Sequence, residues 1–329
     1  MLVSAVLDPS AFDAACFDDK VYTIQAEDFL KGISKNGLLI IDSDRRLQKA
    51  FVKQIESDPS KYGQRLPILV AELLKNRQKR IVAVDLNGIP KMDVLDLAYH
   101  LKTKTEVDAL IVGDNSYLEA DEKGWADLIA LSEYRGSDFE IGRQKYETHN
   151  TPIDQLSECE VKDFIIRSVR FSKRLGFYDP YIGRGNNTRD FLKGIEYILL
   201  LWDEHGFFAQ PTRSVEIFTC CKPRRWFQWN TQWQRQLQEQ KMRIDQELIG
   251  PLKEQFPCCS VEFSIKVDQN NRIFHARFLE TEHAIIGVDP GFDFFIQNED
   301  EEFKRTLFTP NMVNASHLKE YSELPDASV

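Results

Sequence analysis

An α/β chain in two parts is what this sequence predicts, and three observations carry the prediction. Its 329 residues are about twice the usual length of a domain. Short apolar runs alternate with amphipathic stretches through the first half, the pattern of a mostly parallel sheet covered by helices. Residues 132–160 then mix Gly, Ser, Thr, Asn, Pro and charges without a sustained period. The join is placed near Thr151-Pro152, so the expected parts are 1–150, 151–300 and a C-terminal tail, 301–329.

Taken in order, residues 3–7 form an apolar run that closes on Asp8-Pro9-Ser10. A helix around 26–33 leads to Asn36-Gly37, read as a turn, and to a second apolar run at 38–41. That run ends in Asp42-Ser43-Asp44, and Leu47, Phe51 and Ile55 follow at a spacing of four, so a helix is predicted. Residues 66–74 form another helix after the Tyr62-Gly63 break. A third strand at 81–84 closes on Asp85 and an Asn87-Gly88 turn. A helix at 94–101 and a fourth strand at 109–112, ending in Gly113-Asp114, complete the half. The second half reads as strands at 164–171 and 175–178, a helix at 189–202 and a strand at 214–219. A long polar helix at 231–255 follows, with Leu237, Ile244 and Leu248 as a thin apolar stripe. Strands at 260–267, 272–279 and 284–288 come last. The tail from 298 is acidic and then mixed, and partial disorder is expected.

Composition excludes several classes. Apolar residues make up 42% and charged residues 29%, as in ordinary globular chains, and no run approaches membrane-span length. The net charge of −10 divides equally about residue 150, so neither half is a basic nucleic-acid module by bulk charge. The chain opens on Met1-Leu2-Val3 and reaches Asp8 without a basic segment and a long apolar stretch, so a cytoplasmic location is expected. Cys16, Cys159, Cys220, Cys221, Cys258 and Cys259 follow no metal-ligand spacing and are expected as buried, reduced thiols.

Four of the apolar strands end in an acid: Asp8, Asp42 (with Asp44), Asp85 and Asp114. In a parallel sheet these ends share one edge, where ligands usually bind. Carboxylates gathered there repel one another unless a hard cation such as Mg²⁺ or Mn²⁺ lies between them. Two such ions could activate water against a phosphodiester. Asp is also a favoured helix N-cap, and strand-to-helix loops need caps, so both readings stand at these positions. The early strand closing as Val6-Leu7-Asp8, and Asp108-Ala109-Leu110-Ile111-Val112-Gly113-Asp114, resemble the motifs of PIN-like nuclease domains. That resemblance implies a metal-dependent endonuclease, usually acting on RNA, with Asp8, Asp42, Asp44 and Asp114 as catalytic acids and Asp8, Asp42 and Asp114 as metal ligands. The family's Glu on the helix after the second strand is missing from Arg45-Arg46-Leu47-Gln48-Lys49-Ala50-Phe51; Asp44 or Glu72 could substitute.

The second half carries a different set. Phe177-Tyr178-Asp179-Pro180-Tyr181-Ile182, a helix, His275-Ala276-Arg277 and Gly291-Phe292-Asp293-Phe294-Phe295 occur in that order. Together they resemble the phospholipase-D-like domain found C-terminal to MIT domains, and its relatives in bacterial conflict systems. In phospholipase-D chemistry a His nucleophile, a Lys two residues on and a later Asp act together. Here Arg277 stands at the Lys position and Glu282 at the Asp position, and Arg binds phosphate without being equivalent to Lys. The resemblance therefore implies a degenerate domain whose cleft binds anionic groups through His275 and Arg277. Arg184, within Gly183-Arg184-Gly185-Asn186-Asn187, is a further phosphate-binding candidate beside loop amides, and a plain loop is the other reading.

Lys222-Pro223-Arg224-Arg225-Trp226-Phe227-Gln228-Trp229, then Trp233 and Arg235, interleaves aromatic with basic residues. Arg224, Arg225, Trp226 and Trp229 could stack on exposed bases, form a protein interface, or anchor a loop to the core. Three functions remain on these grounds. The first is a metal-dependent endonuclease, RNA favoured, which the conflict-system resemblance sets in antiviral defence. The second is a non-enzymatic adaptor on a partner protein or anionic surface. The third is a His275 phosphodiesterase completed by a second copy, since one half-site needs a twin.

Overall fold

The computed structural model describes residues 3–76, 79–85, 92–147, 152–184, 188–208, 212–221, 231–268, 277–294, 303, 306–310, 321 and 323–327. The chain divides into two compact units, Leu2–Thr148 and His149–Val329.

In the first unit β1 (Val3–Leu7) is buried along its whole length, as the continuous apolar run requires of a central strand. Helix α1 (Lys20–Asn36) is capped by Asp19 and runs straight into β2 (Gly37–Asp42), so Asn36-Gly37 is a helix end and not a separate turn. The Asn36 amide is held there by a reciprocal pair of bonds with Arg143. Helix α2 (Arg46–Ser57) buries Leu47, Phe51 and Ile55, as their spacing predicts. Helix α3 (Arg65–Leu74), β3 (Ile81–Val84), α4 (Val94–Thr105) and β4 (Ala109–Val112) follow. Next come α5 (Asp114–Glu122), β5 (Leu128–Ala130) and α6 (Asp138–Glu147). All strands are parallel, in the order β3-β2-β1-β4-β5. The predicted structureless join thus contains α6. Its Ser137 cap and its buried Phe139 and Arg143 are too few to show as a period. Strand β5, at three residues, was equally invisible.

The second unit begins with α7 (Glu158–Val169), where the sequence suggested a strand at 164–171. Ser157 and Glu160 form a capping box, and Val161, Phe164, Ile165, Ser168 and Val169 are buried at helical spacing. Both signals outweigh the β-branched composition. Then come β6 (Arg174–Tyr178), α8 (Thr188–His205), β7 (Ser214–Cys221) and α9 (Thr231–Ile244). A π-turn at Asp245–Ile249 joins α9 to α10 (Gly250–Gln255). The sheet is completed by β8 (Ser260–Val267), β9 (Phe278–Thr281), β10 (Ile285–Asp289) and β11 (Leu307–Pro310). Its order is β11-β10-β9-β6-β7-β8: β6, β7 and β8 are parallel, while β9, β10 and β11 alternate in direction. The expected tail from 301 therefore supplies a strand of the sheet. Tyr321 is also buried, packed with Tyr178, Phe278 and Cys220.

The cysteines are all free. Cys220 and Cys221 are buried, and burial pushes their thiols up to about 12 and about 11. Cys159 and Cys258 are exposed, contrary to the expectation, because one lies in the first turn of α7 and the other in the turn before β8. Among the described residues no helix is long and apolar enough to cross a membrane.

Candidate functional site

The parallel strands of the first unit bring Asp8, Asp42, Asp85 and Asp114 to one sheet edge. Adjacent strands lie about 4.8 Å apart, so the β2 and β4 ends stand roughly 10 Å from each other on either side of β1. Each acid nevertheless has its own engagement. Both Asp42 oxygens accept backbone hydrogen bonds from the start of α2, from Arg46 N at 2.8 Å and Leu47 N at 3.0 Å. Asp114, at the start of α5, accepts from the Ser132 hydroxyl at 2.7 Å and so is drawn toward the β5 side. Asp44 and Asp85 are exposed. Among the described residues no three His, Cys, Asp or Glu side chains stand together as a set able to hold a metal ion. The predicted ligands Asp8, Asp42 and Asp114 thus share an edge without forming a cage.

Asp8 differs from the rest. It is buried at the end of the central strand and bonds the Ser10 amide at 3.1 Å and the Ser10 hydroxyl. The same hydroxyl accepts from Gly113 N at 3.1 Å, which ties the ends of β1 and β4 together. A Cβ at Gly113 would stand 2.4 Å from the Ser10 carbonyl oxygen, so only glycine allows this approach. Burial raises the Asp8 carboxyl above the ordinary carboxylate range. The Ser10 bonds lower it in part, and the charges of Asp93 and Glu119 raise it again. Sequence reading missed both neighbours. Asp93 is the N-cap of α4, bonded to Asp96 N at 2.8 Å, and Glu119 lies one turn into α5.

In the second unit the end of β6 holds a better-defined arrangement. Asp179 is fully buried and forms an Asx turn, accepting from Tyr181 N at 2.9 Å, with Phe292 N at 3.4 Å on its other oxygen. Arg277 enters just before β9, its Nε 3.8 Å from Asp179 Oδ1 and its Nη1 3.4 Å from Asp289 Oδ1. The guanidinium lies over the Tyr181 ring at 4.6 Å. Its side chain is 15% exposed, and the buried Nε makes no hydrogen bond. Gly291, at φ 149°, closes the site: a Cβ there would lie 2.6 Å from Asp179 Oδ2 and 3.3 Å from Arg277 Cδ. Burial lifts the Asp179 carboxyl to about 7. The Tyr181 amide, Arg277 and the Phe292 amide oppose the rise, and Asp293 adds to it. A buried carboxyl near neutrality beside a cation, at the carboxyl edge of parallel strands, is a candidate functional site.

Of two further expected members of this site, Glu282 lies elsewhere, while Arg184 stands beside it, 5.7 Å from the centre of the Tyr181 ring that Arg277 also covers. Glu282 accepts from Lys173 N at 2.6 Å, at the opposite end of β6. Five residues of extended chain separate it from Arg277, roughly 16 Å, so the two cannot act on one phosphate. The Arg184 guanidinium donates to the Cys220 carbonyl at 2.9 and 2.6 Å, so it is spent on the end of β7. His275 and residues Arg224, Arg225, Trp226 and Trp229 lie outside the described residues, as do Gly185-Asn186-Asn187. Arg235 is paired with Glu239 at 3.0 Å on α9.

No protein-family model matches this chain, and no curated protein matches it either. The fold and its sites define a two-unit α/β protein with a parallel sheet in one unit and a mixed sheet in the other.

Proposed function

We propose that the chain is a binding protein whose second unit recognises an anionic group through Arg277. The observation that carries this reading is the Arg277 Nε, a buried charged donor without an acceptor. Leaving such a donor unmade costs about 1–3 kcal/mol or more, so a group of this kind calls for an explanation. Stacking on Tyr181 and the neighbouring Asp179 hold the guanidinium plane in place, which suits planar recognition of a phosphate or carboxylate. The distance of Glu282 from Arg277, and the commitment of the Arg184 guanidinium to the Cys220 carbonyl, support binding over hydrolysis, because a phosphoryl-transfer site needs its groups on one oxygen cluster. The phosphorylated ligand could belong to RNA or to a partner, and the phospholipase-D-like and conflict-system resemblances are part of this same proposal.

Binding of fluorescein-labelled single-stranded RNA and of phosphate-bearing competitors to the whole chain tests it. Arg277→Gln should weaken binding about tenfold or more, with the unfolding transition retained. Equal affinity of this variant and the wild type would remove the reading.

A second reading has its own observation. The Asp93 and Glu119 charges bear on the buried Asp8, and a divalent cation would relieve that repulsion. On this reading the first unit is a PIN-like, metal-dependent endonuclease centred on Asp8, binding Mg²⁺ or Mn²⁺, and the second unit targets it. Cleavage of labelled RNA with Mn²⁺, lost with EDTA and with Asp8→Asn, would support it. Cleavage that survives EDTA or Asp8→Asn would reject it.

A further inference from the structure

Among the described residues the two sheets have four edges, and the chain itself meets three of them at one or more positions. The outer side of β3 is met by the Asn76 side-chain amide, which accepts from Ile81 N at 2.9 Å and donates to Ile81 O at 3.0 Å. The outer side of β8 is paired by the 325–327 segment, through Val267 N to Pro325 O and Ala327 N to Ile265 O. Against β11 lies Pro152, with Ile153 N donating to Thr306 O. The fourth edge is β5. Its inner side bonds β4, with Leu110 N donating to Asp127 O, so alternation turns the Leu128 and Ala130 amide groups outward. Among the described residues no strand pairs with that outer side.

Beside β5 runs a cavity of about 460 Å³, bounded on its far side by the start of α6. Its charged lining is acidic: Asp108, Asp127, Glu133 and Asp138 against Arg135 alone. The Arg135 charge is taken by Asp28, Asp108 accepts from Ser4, and Asp127 is paired with Lys102 at 2.5 Å. Glu133 and Asp138 are exposed. An uncovered edge is a template for pairing, and most proteins blunt it. Carboxylates along this one repel a second acidic edge and favour a strand that carries Lys or Arg.

We propose that the outer side of β5 takes a basic, extended peptide segment of a partner protein, added as a strand to the first unit's sheet. Main-chain bonds to the half-buried Leu128 supply the pairing, and alternate basic side chains reach Glu133 and Asp138. The proposal stands apart from both readings of the proposed function, since neither Arg277 nor Asp8 takes part.

The test is fluorescence anisotropy on the whole chain with a labelled ten-residue peptide alternating lysine and valine. Saturable binding is expected that weakens about tenfold from low to high salt. A Glu133→Lys/Asp138→Lys variant with an unchanged urea midpoint should bind about tenfold more weakly. On the wild-type chain, the same peptide N-methylated at alternate residues should also lose about tenfold, because its charge is intact and its strand pairing is blocked. Absence of binding, or equal binding of the N-methylated peptide, overturns the proposal. Light scattering that shows a dimer broken by the peptide assigns the edge to a second copy and overturns it too.

Discussion

Asp42 and Asp179 show how one residue type takes opposite roles at strand ends. Both Asp42 oxygens are satisfied by the amides of Arg46 and Leu47, so its carboxylate serves helix α2. Asp42→Ala should therefore lower unfolding free energy by about 1–2 kcal/mol in urea titration, the cost of a lost cap. Unchanged stability would reject the capping role. Asp179, by contrast, is desolvated and sits at about 7 in the folded chain against an ordinary 3.8. Its native form holds a proton that the unfolded chain has already released. The stability it contributes is complete below about 3.8 and is lost as pH rises through about 7. Melting temperature should fall between pH 5 and pH 7.5, and Asp179→Asn should flatten that slope. An identical slope in the variant would show that Asp179 does not titrate there.

Elements in this chain meet through a few contacts that forbid larger side chains. Helix α8 carries Gly194 against the Phe292 carbonyl, where a Cβ would come within 1.8 Å of the oxygen. Phe292 in turn presents its amide to Asp179 and packs its ring on Phe177 of β6 at 5.2 Å. Gly194→Ala should push the 291–294 segment off the helix and destabilise the unit by roughly 1–3 kcal/mol. It should also weaken anion binding at Arg277, because Gly291 and Phe292 frame that site. A variant that loses stability while keeping wild-type anion affinity would uncouple the helix from the site. Helix α7 makes a related point about legibility. Its Ser157-to-Glu160 capping box was present in the sequence, yet the run of Phe164, Ile165 and Ile166 read as a strand. Local caps carry more weight there than β-branched composition.

At the scale of the whole molecule, Tyr321 and residues 323–327 belong to the second unit's architecture. Tyr321 packs edge-on to Tyr178 and Phe278 at 5.1 and 5.7 Å, and the 325–327 segment covers β8. Truncation before Tyr321 should expose a long edge strand and open the aromatic cluster. The expected result is a lower melting temperature and concentration-dependent aggregation by light scattering. A truncated chain as stable and monodisperse as the full one would show the segment to be dispensable. The acidic surface has a consequence at the same scale. With a net charge of −10 the chain attracts no polyanion in bulk, so anion recognition depends on a local cation such as Arg277.

Periodicity and strand-end chemistry made much of this protein legible from sequence. The runs at 3–7, 81–84 and 109–112 are strands within those same bounds, because a strand of a covered parallel sheet reads as a continuous apolar run, and 260–267 is one because its apolar residues alternate with polar ones. Helices with a full apolar stripe, such as α2, were equally plain. Elements too short or too polar to repeat a pattern, β5, β11 and α6, left no such mark. Parallel pairing was inferable, and with it the shared edge of the strand-end acids. Which acids a helix N-terminus would consume, and which would be desolvated, was not. That depends on partners distant in the chain: Ser132 for Asp114, Asp93 and Glu119 for Asp8, Arg277 and Phe292 for Asp179. The sequence alone determined the α/β alternation and the candidate acids. Tertiary structure decided their environments, because burial and charge at a carboxyl are set by what packs around it.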